Sequence, residues 1–157
     1  MMLRDGTYPV IVCDYVEGEF LLAEAAERGL VGVTDPETHY NNAILESMKY
    51  WGVSDADAAA YLAQPAVAYA TAVGTYKQKI GTQKWLGLFD RGVESWAEWR
   101  RLDFPILNPP AGMTYADIPV RMPYPYNENK MNQTNYDAAA SAIGGDAANT
   151  KLFWDKF

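Results

Sequence analysis

Apolar residues return with a helical period through the first two thirds of the chain. From Tyr15 to Leu30 they fall at Val16, Phe20, Ala23, Ala26 and Leu30, which places them on one face of an amphipathic helix. Gly29 and Gly32 mark its end. Thr34-Asp35-Pro36-Glu37 reads as a capping box with proline in the first turn, and the helix it opens carries Tyr40, Ile44, Met48 and Trp51 as a stripe before Gly52 stops it. Ser54-Asp55-Ala56-Asp57 opens a third capped helix that runs to about Ala63, with Pro65 beyond it. A fourth spans about Thr75 to Asp90, its pattern interrupted by Gly81 and Gly87. Gly92 breaks it, and Val93 to Leu102 forms a fifth.

These elements predict two antiparallel helix pairs joined by short turns, the unit of tetratricopeptide-like arrays, although the consensus of that repeat is not matched in detail. Ahead of them, Tyr8-Pro9-Val10-Ile11-Val12 leans toward extended structure. Beyond Leu102 the character changes. Residues 103–135 hold most of the prolines and several Asn-rich turns, and predict a long irregular excursion. Tyr136 to Ile143 returns to helix, Gly144-Gly145 ends it, and Leu152-Phe153-Trp154 forms an apolar tail. The expected fold is all-α, a single region over 1–157 divided into helix pairs (15–102), an irregular loop (103–135) and a closing helix and tail (136–157).

With 157 residues, 49% of them hydrophobic and 21% charged, the chain is long and apolar enough to bury a core. A net charge of −7 with scattered Lys and Arg argues against nucleic acid as a partner. The lone cysteine, Cys13, excludes an internal disulfide. Its setting, Val10-Ile11-Val12-Cys13, superficially resembles a lipid-attachment site. The residue before the cysteine is not small, however, and Met1 to Tyr8 contains no apolar signal region. No signal or lipidation site is expected within these residues.

No catalytic, cofactor or metal site is expected either. His39, the only histidine, has no second His or Cys at ligand spacing and reads as a solvated helix residue. Ser47, Ser54, Ser95 and Ser141 lack an identifiable base. The acidic pairs Asp55 and Asp57, or Glu17 and Glu19, sit two apart, a spacing that turns them away from each other on a helix. Asn132-Gln133-Thr134 matches a glycosylation acceptor, a pattern too common to carry weight. Trp85 and Phe89 on one helix, and Trp96 and Trp99 on the next, could form a platform for sugar rings. Stripes at helical spacing usually face a neighbouring helix, so they are taken as the filling of a seam. Glu98 stands three residues before Arg101 and predicts an ion pair tying the helix end.

Several segments are distinctive in combination. They are Glu19-Phe20-Leu21-Leu22-Ala23-Glu24-Ala25-Ala26-Glu27-Arg28-Gly29, then Ile80-Gly81-Thr82-Gln83-Lys84-Trp85-Leu86-Gly87-Leu88-Phe89, then Glu94-Ser95-Trp96-Ala97-Glu98-Trp99-Arg100-Arg101. Pro119-Val120-Arg121-Met122-Pro123-Tyr124-Pro125 follows, then Asn135-Tyr136, Gly144-Gly145-Asp146 and Leu152-Phe153-Trp154-Asp155. In this order they resemble the C-terminal part of the SusD/RagB family, from about Asp14 onward. The resemblance implies a helical, tetratricopeptide-like, non-enzymatic protein without cofactor, lipid-anchored and exposed at the outer membrane of a Gram-negative bacterium. Such proteins capture glycans, or peptides in some branches, and work with a SusC-type TonB-dependent transporter.

Family members run to several hundred residues, so the N-terminal portion of the parent is expected to be absent here. Leu102-Asp103-Phe104-Pro105 departs from the family's usual turn after Arg-Arg. No ligand-binding residue carries over, so the ligand residues stay unknown, and a purely structural or docking role is the alternative. Phe20, Leu21 and Leu22 are consecutive, so the first helix has apolar residues on more than one side, and the isolated chain is expected either to self-associate through this face or to bind hydrophobic dyes. With these rings in the seam, Trp85→Ala and Trp96→Ala, ahead of Trp99→Ala, should each cost about 3–5 kcal/mol of stability, measured by denaturant unfolding.

Overall fold

The computed structural model describes residues 6–7 and 10–155. Tyr8 and Pro9 of the predicted extended segment lie outside that range, and residues 10–13 form no strand. The described residues form seven α-helices and a 3-10 turn, with no strand among them. In chain order the helices are α1 (Tyr15–Glu27), α2 (Pro36–Tyr50), α3 (Asp55–Leu62), α4 (Tyr76–Gly87), α5 (Gly92–Leu102), α6 (Tyr126–Met131) and α7 (Gln133–Ala142). The all-α class is as expected, and the pairing is consistent with tetratricopeptide-like units. The chain divides into two compact units, one ending at Pro105 and the other starting at Ile106.

Local chemistry sets the helix ends. Asp14 caps α1 by accepting a hydrogen bond from the Glu17 amide at 2.9 Å. The other end closes as a Schellman motif: the Gly29 amide donates to the Ala26 carbonyl and the Leu30 amide to that of Ala25, both at 3.0 Å, with Gly29 at φ 68°. Leu30 therefore lies past the helix and is exposed. The start of α2 corrects the predicted capping box. Asp35, not Thr34, is the cap, and its carboxylate accepts from the Thr38 amide at 3.2 Å and the Thr38 hydroxyl at 2.7 Å. With Pro36 occupying the first helical position, Asp35 is the residue whose side chain reaches the orphan amide. Ser54 caps α3 as read from the sequence, accepting from the Asp57 amide at 3.2 Å.

The core of the first unit gathers Val16, Phe20 and Ala23 of α1, Tyr40, Ala43 and Ile44 of α2, Val67, and Ile80 of α4. Phe20 meets Tyr40 edge-on at 6.3 Å, and the Tyr40 hydroxyl donates to the Val67 carbonyl at 2.8 Å, which satisfies the one polar atom this ring buries. Gly81 and Gly87 do not interrupt α4. They are points of close approach: a Cβ on Gly81 would stand 3.2 Å from Leu102 and Phe104, and one on Gly87 would stand 3.1 Å from Phe20 and 3.2 Å from Val16.

The seam between α4 and α5 differs from the predicted one. The buried stripe of α4 is Ile80, Lys84 and Leu88, one residue before Trp85 and Phe89. Trp85 is half-buried and Phe89 is 61% exposed. On α5, Trp99 is the core residue at 4% exposure, and its indole N–H donates to the Pro105 carbonyl at 3.0 Å. Trp96 is half-buried beneath the Arg100 guanidinium, 3.8 Å from its ring centre. The expected ranking of the tryptophans is thus reversed.

Between these apolar residues the seam holds an ion pair. Lys84 has no solvent exposure, and its Nζ lies 3.1 Å from Glu98 Oε2 without a well-directed hydrogen bond. Glu98 also pairs with Arg101 at 2.6 Å, as its spacing predicted, and Arg101 reaches across to both carboxylate oxygens of Glu24 on α1. At the turn between α4 and α5, the buried Arg91 holds Asp14 at 3.0 Å and Glu17 at 3.3 Å.

The second unit is organised differently. The predicted irregular stretch 103–135 contains α6 and the start of α7, because Pro125 sets up the N-terminus of a proline-free run, Tyr126-Asn127-Glu128-Asn129-Lys130-Met131. No residue of α6 or α7 is buried. The unit closes on Asp146, which pairs with the buried Arg121 at 2.6 Å and accepts from the Tyr124 amide and the Tyr136 hydroxyl, both at 3.0 Å.

Removing one partner from the α4–α5 ion pair leaves a buried charge, whereas removing the other leaves a carboxylate still held by arginine. Glu98→Gln is therefore expected to cost about 3–5 kcal/mol and Lys84→Met much less. Urea unfolding of both variants checks this, and the opposite order contradicts it.

Candidate functional site

The C-terminal ends of α2 and α4 bring an aromatic group to the surface. Tyr50 ends α2, and Trp51 follows as its cap. The chain turns there on Gly52, at φ 80°, whose amide donates to the Lys49 carbonyl at 2.9 Å. On α4, Gly87 lets the helix end close against Phe20 and Val16, and the chain then turns through Leu88, Phe89, Asp90 and Arg91. Trp51 meets Tyr50 edge-on at 5.3 Å and Phe89 at 5.4 Å. It separates two hollows of about 170 and 180 Å³, both of which it lines together with Ser47 and Gly87. Asp90 and Arg91 form part of the rim of the first, and Met48, Val53 and Leu86 part of the wall of the second.

Neither aromatic was singled out for this place by the sequence. Trp51 had been assigned to the inward stripe of α2 and Phe89 to the α4–α5 seam. Tyr40 and Ile44 of that stripe are buried, but Trp51 lies past the helix and is half-exposed. The available signal was its position beside Gly52: a residue flanking a left-handed glycine turn has left the helical face.

Several residues with candidate chemistry are engaged in structure. His39 is not a solvated helix residue; its Nδ1 lies 2.7 Å from Oε2 of the buried Glu19 and joins α2 to α1. Glu17 turns instead to Arg91, so the acidic pair is split between two partners. Ser54 donates to Asp57 at 2.6 Å at the start of α3. The Asn132 side chain donates to Glu128 at 2.9 Å and accepts from Asn135 at 2.6 Å. Cys13 is exposed and free. Among the described residues no group of His, Cys, Asp or Glu is placed to hold a metal ion, and no helix is long and apolar enough to cross a membrane.

Comparison with known proteins agrees with this architecture. Residues 1–125 match the SusD-like family described as "Starch-binding associating with outer membrane". The chain belongs to this SusD-like family. Among solved structures, a Bacteroidetes SusD-like protein is 33% identical over 94% of this chain and 30% of its own, with a TM-score of 0.79. A chitin-binding SusD homologue from Flavobacterium johnsoniae is 29% identical over 89% of this chain and 35% of its own, with a TM-score of 0.68. A SusD homologue from Bacteroides vulgatus is 25% identical over 99% of this chain and 38% of its own, with a TM-score of 0.77. No curated protein matches. The chain spans about a third of the length of these SusD-like relatives.

The segments that carry the family resemblance are those that make the frame. Glu19 and Glu24 of the first segment, Lys84 of the second, and Glu98 and Arg101 of the third are all ion-pair partners, and Arg121 and Asp146 meet in the second unit. Burial pushes the Glu24 carboxyl up, but hydrogen bonds from Arg101 and the nearby Lys84 and Arg28 charges outweigh it, so the group titrates below the ordinary carboxylate range. Glu19 is lowered in the same way, burial being outweighed by His39, Tyr15 and Asn42. A carboxyl that titrates lower when folded stabilises the fold above its unfolded value and loses that contribution as pH falls through its folded value. The melting temperature is therefore expected to hold from neutral pH down to about 5 and to fall steeply below about 4.5. Calorimetric scans should show a shallower fall in the variant carrying Glu19→Gln and Glu24→Gln, and an equal slope contradicts the assignment.

Proposed function

We propose that this chain is the C-terminal part of a helical, lipid-anchored, surface-exposed outer-membrane protein that captures glycans for uptake and works with a SusC-type TonB-dependent transporter. The observation that carries the proposal is the match of residues 1–125 to a family described by starch binding at the outer membrane. The likeness to a chitin-binding SusD homologue, at 29% identity, supports a glycan over a peptide ligand.

The role is binding without turnover. His39, Glu17, Glu19 and Asp57, four residues whose types could serve acid–base work, are each engaged in a structural contact. A transport component of this kind needs a surface that holds a saccharide long enough to hand it on, and a frame that keeps that surface in place. The ion-paired helices supply the frame.

Deleting the gene in its own bacterium is expected to slow growth on one class of polysaccharide and to spare growth on the corresponding monosaccharide. Restoring the gene should restore growth. Unchanged growth on every polysaccharide tested contradicts the proposal.

A further inference from the structure

The turn that follows α4 has an unusual alternation of burial. Leu88 is buried at 1% exposure, Phe89 and Asp90 are exposed, and Arg91 is buried again at 9%. Arg91 is held from both directions: its amide donates to the Leu88 carbonyl at 2.9 Å and its guanidinium grips Asp14 and Glu17. Two exposed residues are thus held out between two anchored ones. Binding then has little backbone left to order at this turn, because the chain beneath these side chains is already fixed.

Asp90 is in the left-handed region, at φ 74°, which is unfavourable for a residue with a Cβ. Its carboxylate has no hydrogen-bond or ion-pair partner among the described residues, and it stands on the rim of the hollow whose wall is Trp51 and Phe89. Ser47, on the same wall, likewise has a hydroxyl without a partner among them. The site therefore offers an aromatic wall with an acceptor and a hydroxyl beside it.

We propose that Phe89, Trp51 and Asp90 form a binding subsite for one pyranose ring of a neutral oligosaccharide, an assignment that rests on the glycan-capture reading above. A pyranose is itself two-sided. Its axial C–H face is apolar and packs on aromatic rings, while its equatorial hydroxyls point outward around the rim. Phe89, buttressed edge-on by Trp51, takes the C–H face. The Asp90 carboxylate accepts from a hydroxyl, and the Ser47 hydroxyl donates to or accepts from another. A carboxylate on the rim disfavours an anionic sugar, so the ring is uncharged. A second protein chain is a poorer fit, because covering Asp90 with an apolar surface would take its charge out of water.

The test is isothermal calorimetry of the chain with maltohexaose and with chitohexaose, alongside two variants. Phe89→Ala removes an exposed ring and should leave the melting temperature unchanged. Asp90→Gly deletes the carboxylate and keeps the left-handed backbone, which glycine adopts freely. At least one of the oligosaccharides is expected to bind, each variant is expected to weaken it roughly tenfold, and all three proteins should sediment alike. Binding unchanged by both variants places the site elsewhere and leaves the glycan-uptake reading intact. A shift in sedimentation on losing Phe89 would give this face to a second copy and overturn the subsite. No binding of either sugar by the unmodified chain also overturns it, and the growth experiment then decides separately whether the uptake reading stands.

Discussion

A lysine ammonium with no water around it has to remain beside a carboxylate, and Lys84 does so against Glu98. An isolated charge in such a place is too costly to persist, and an ion pair tolerates little displacement of its partners. That requirement fixes how α4 is rotated. If Lys84 faces α5, then Ile80 and Leu88, four residues to either side, face inward with it, and both are buried. The next residue along, Phe89, is then turned away from the seam to the surface. Glu98 passes the constraint on through Arg101 to Glu24 of α1, so three helices share one charge network. The network adds little net stability, since buried ion pairs recover little beyond their own desolvation.

The exposed aromatic group is a consequence of this frame. Phe89 and Trp51 meet because α4 and α2 both pack on α1, and Gly87 lets α4 come within a methyl group of Phe20 and Val16. Arg91 completes the arrangement by tying the turn after α4 to the cap of α1. A glycan-capturing surface benefits from such rigidity, because every side chain already in place is one that binding does not have to order. Dividing the work in this way leaves the packed helices to set geometry and the helix ends to meet the ligand.

The helical class, the end of α1 and the cap of α3 were legible in the sequence because each rests on a local rule, whether apolar period, glycine after a helix or serine before one. The Glu98–Arg101 pair was legible for the same reason. The inward face of α4 was not. Its central residue is a lysine, and a pattern read by hydrophobicity passes over Lys84 and settles on Trp85 and Phe89, one position and about a quarter turn away. His39 was missed as a partner because Glu19 lies on another helix, and only tertiary packing shows that the two meet. The helix at Tyr126–Met131 was hidden by the prolines before it, which read as loop although Pro125 leads directly into a helix. No ligand residue was predicted, and the subsite around Trp51 depends on turns at Gly52 and Asp90 that place residues from two helix ends side by side.

A fixed frame carries an open aromatic face, and the tryptophan indoles report on both. Trp99 donates its N–H to the Pro105 carbonyl inside the frame, while Trp51 lies on the wall of the hollows. Nuclear magnetic resonance of the indole N–H signals during titration with maltohexaose or chitohexaose is the most direct measurement. The account predicts that the Trp51 signal moves with saturable dependence on sugar and that the Trp99 signal stays where it is. A Trp51 signal unmoved by a bound sugar, or a Trp99 signal that shifts as far as that of Trp51, would contradict it.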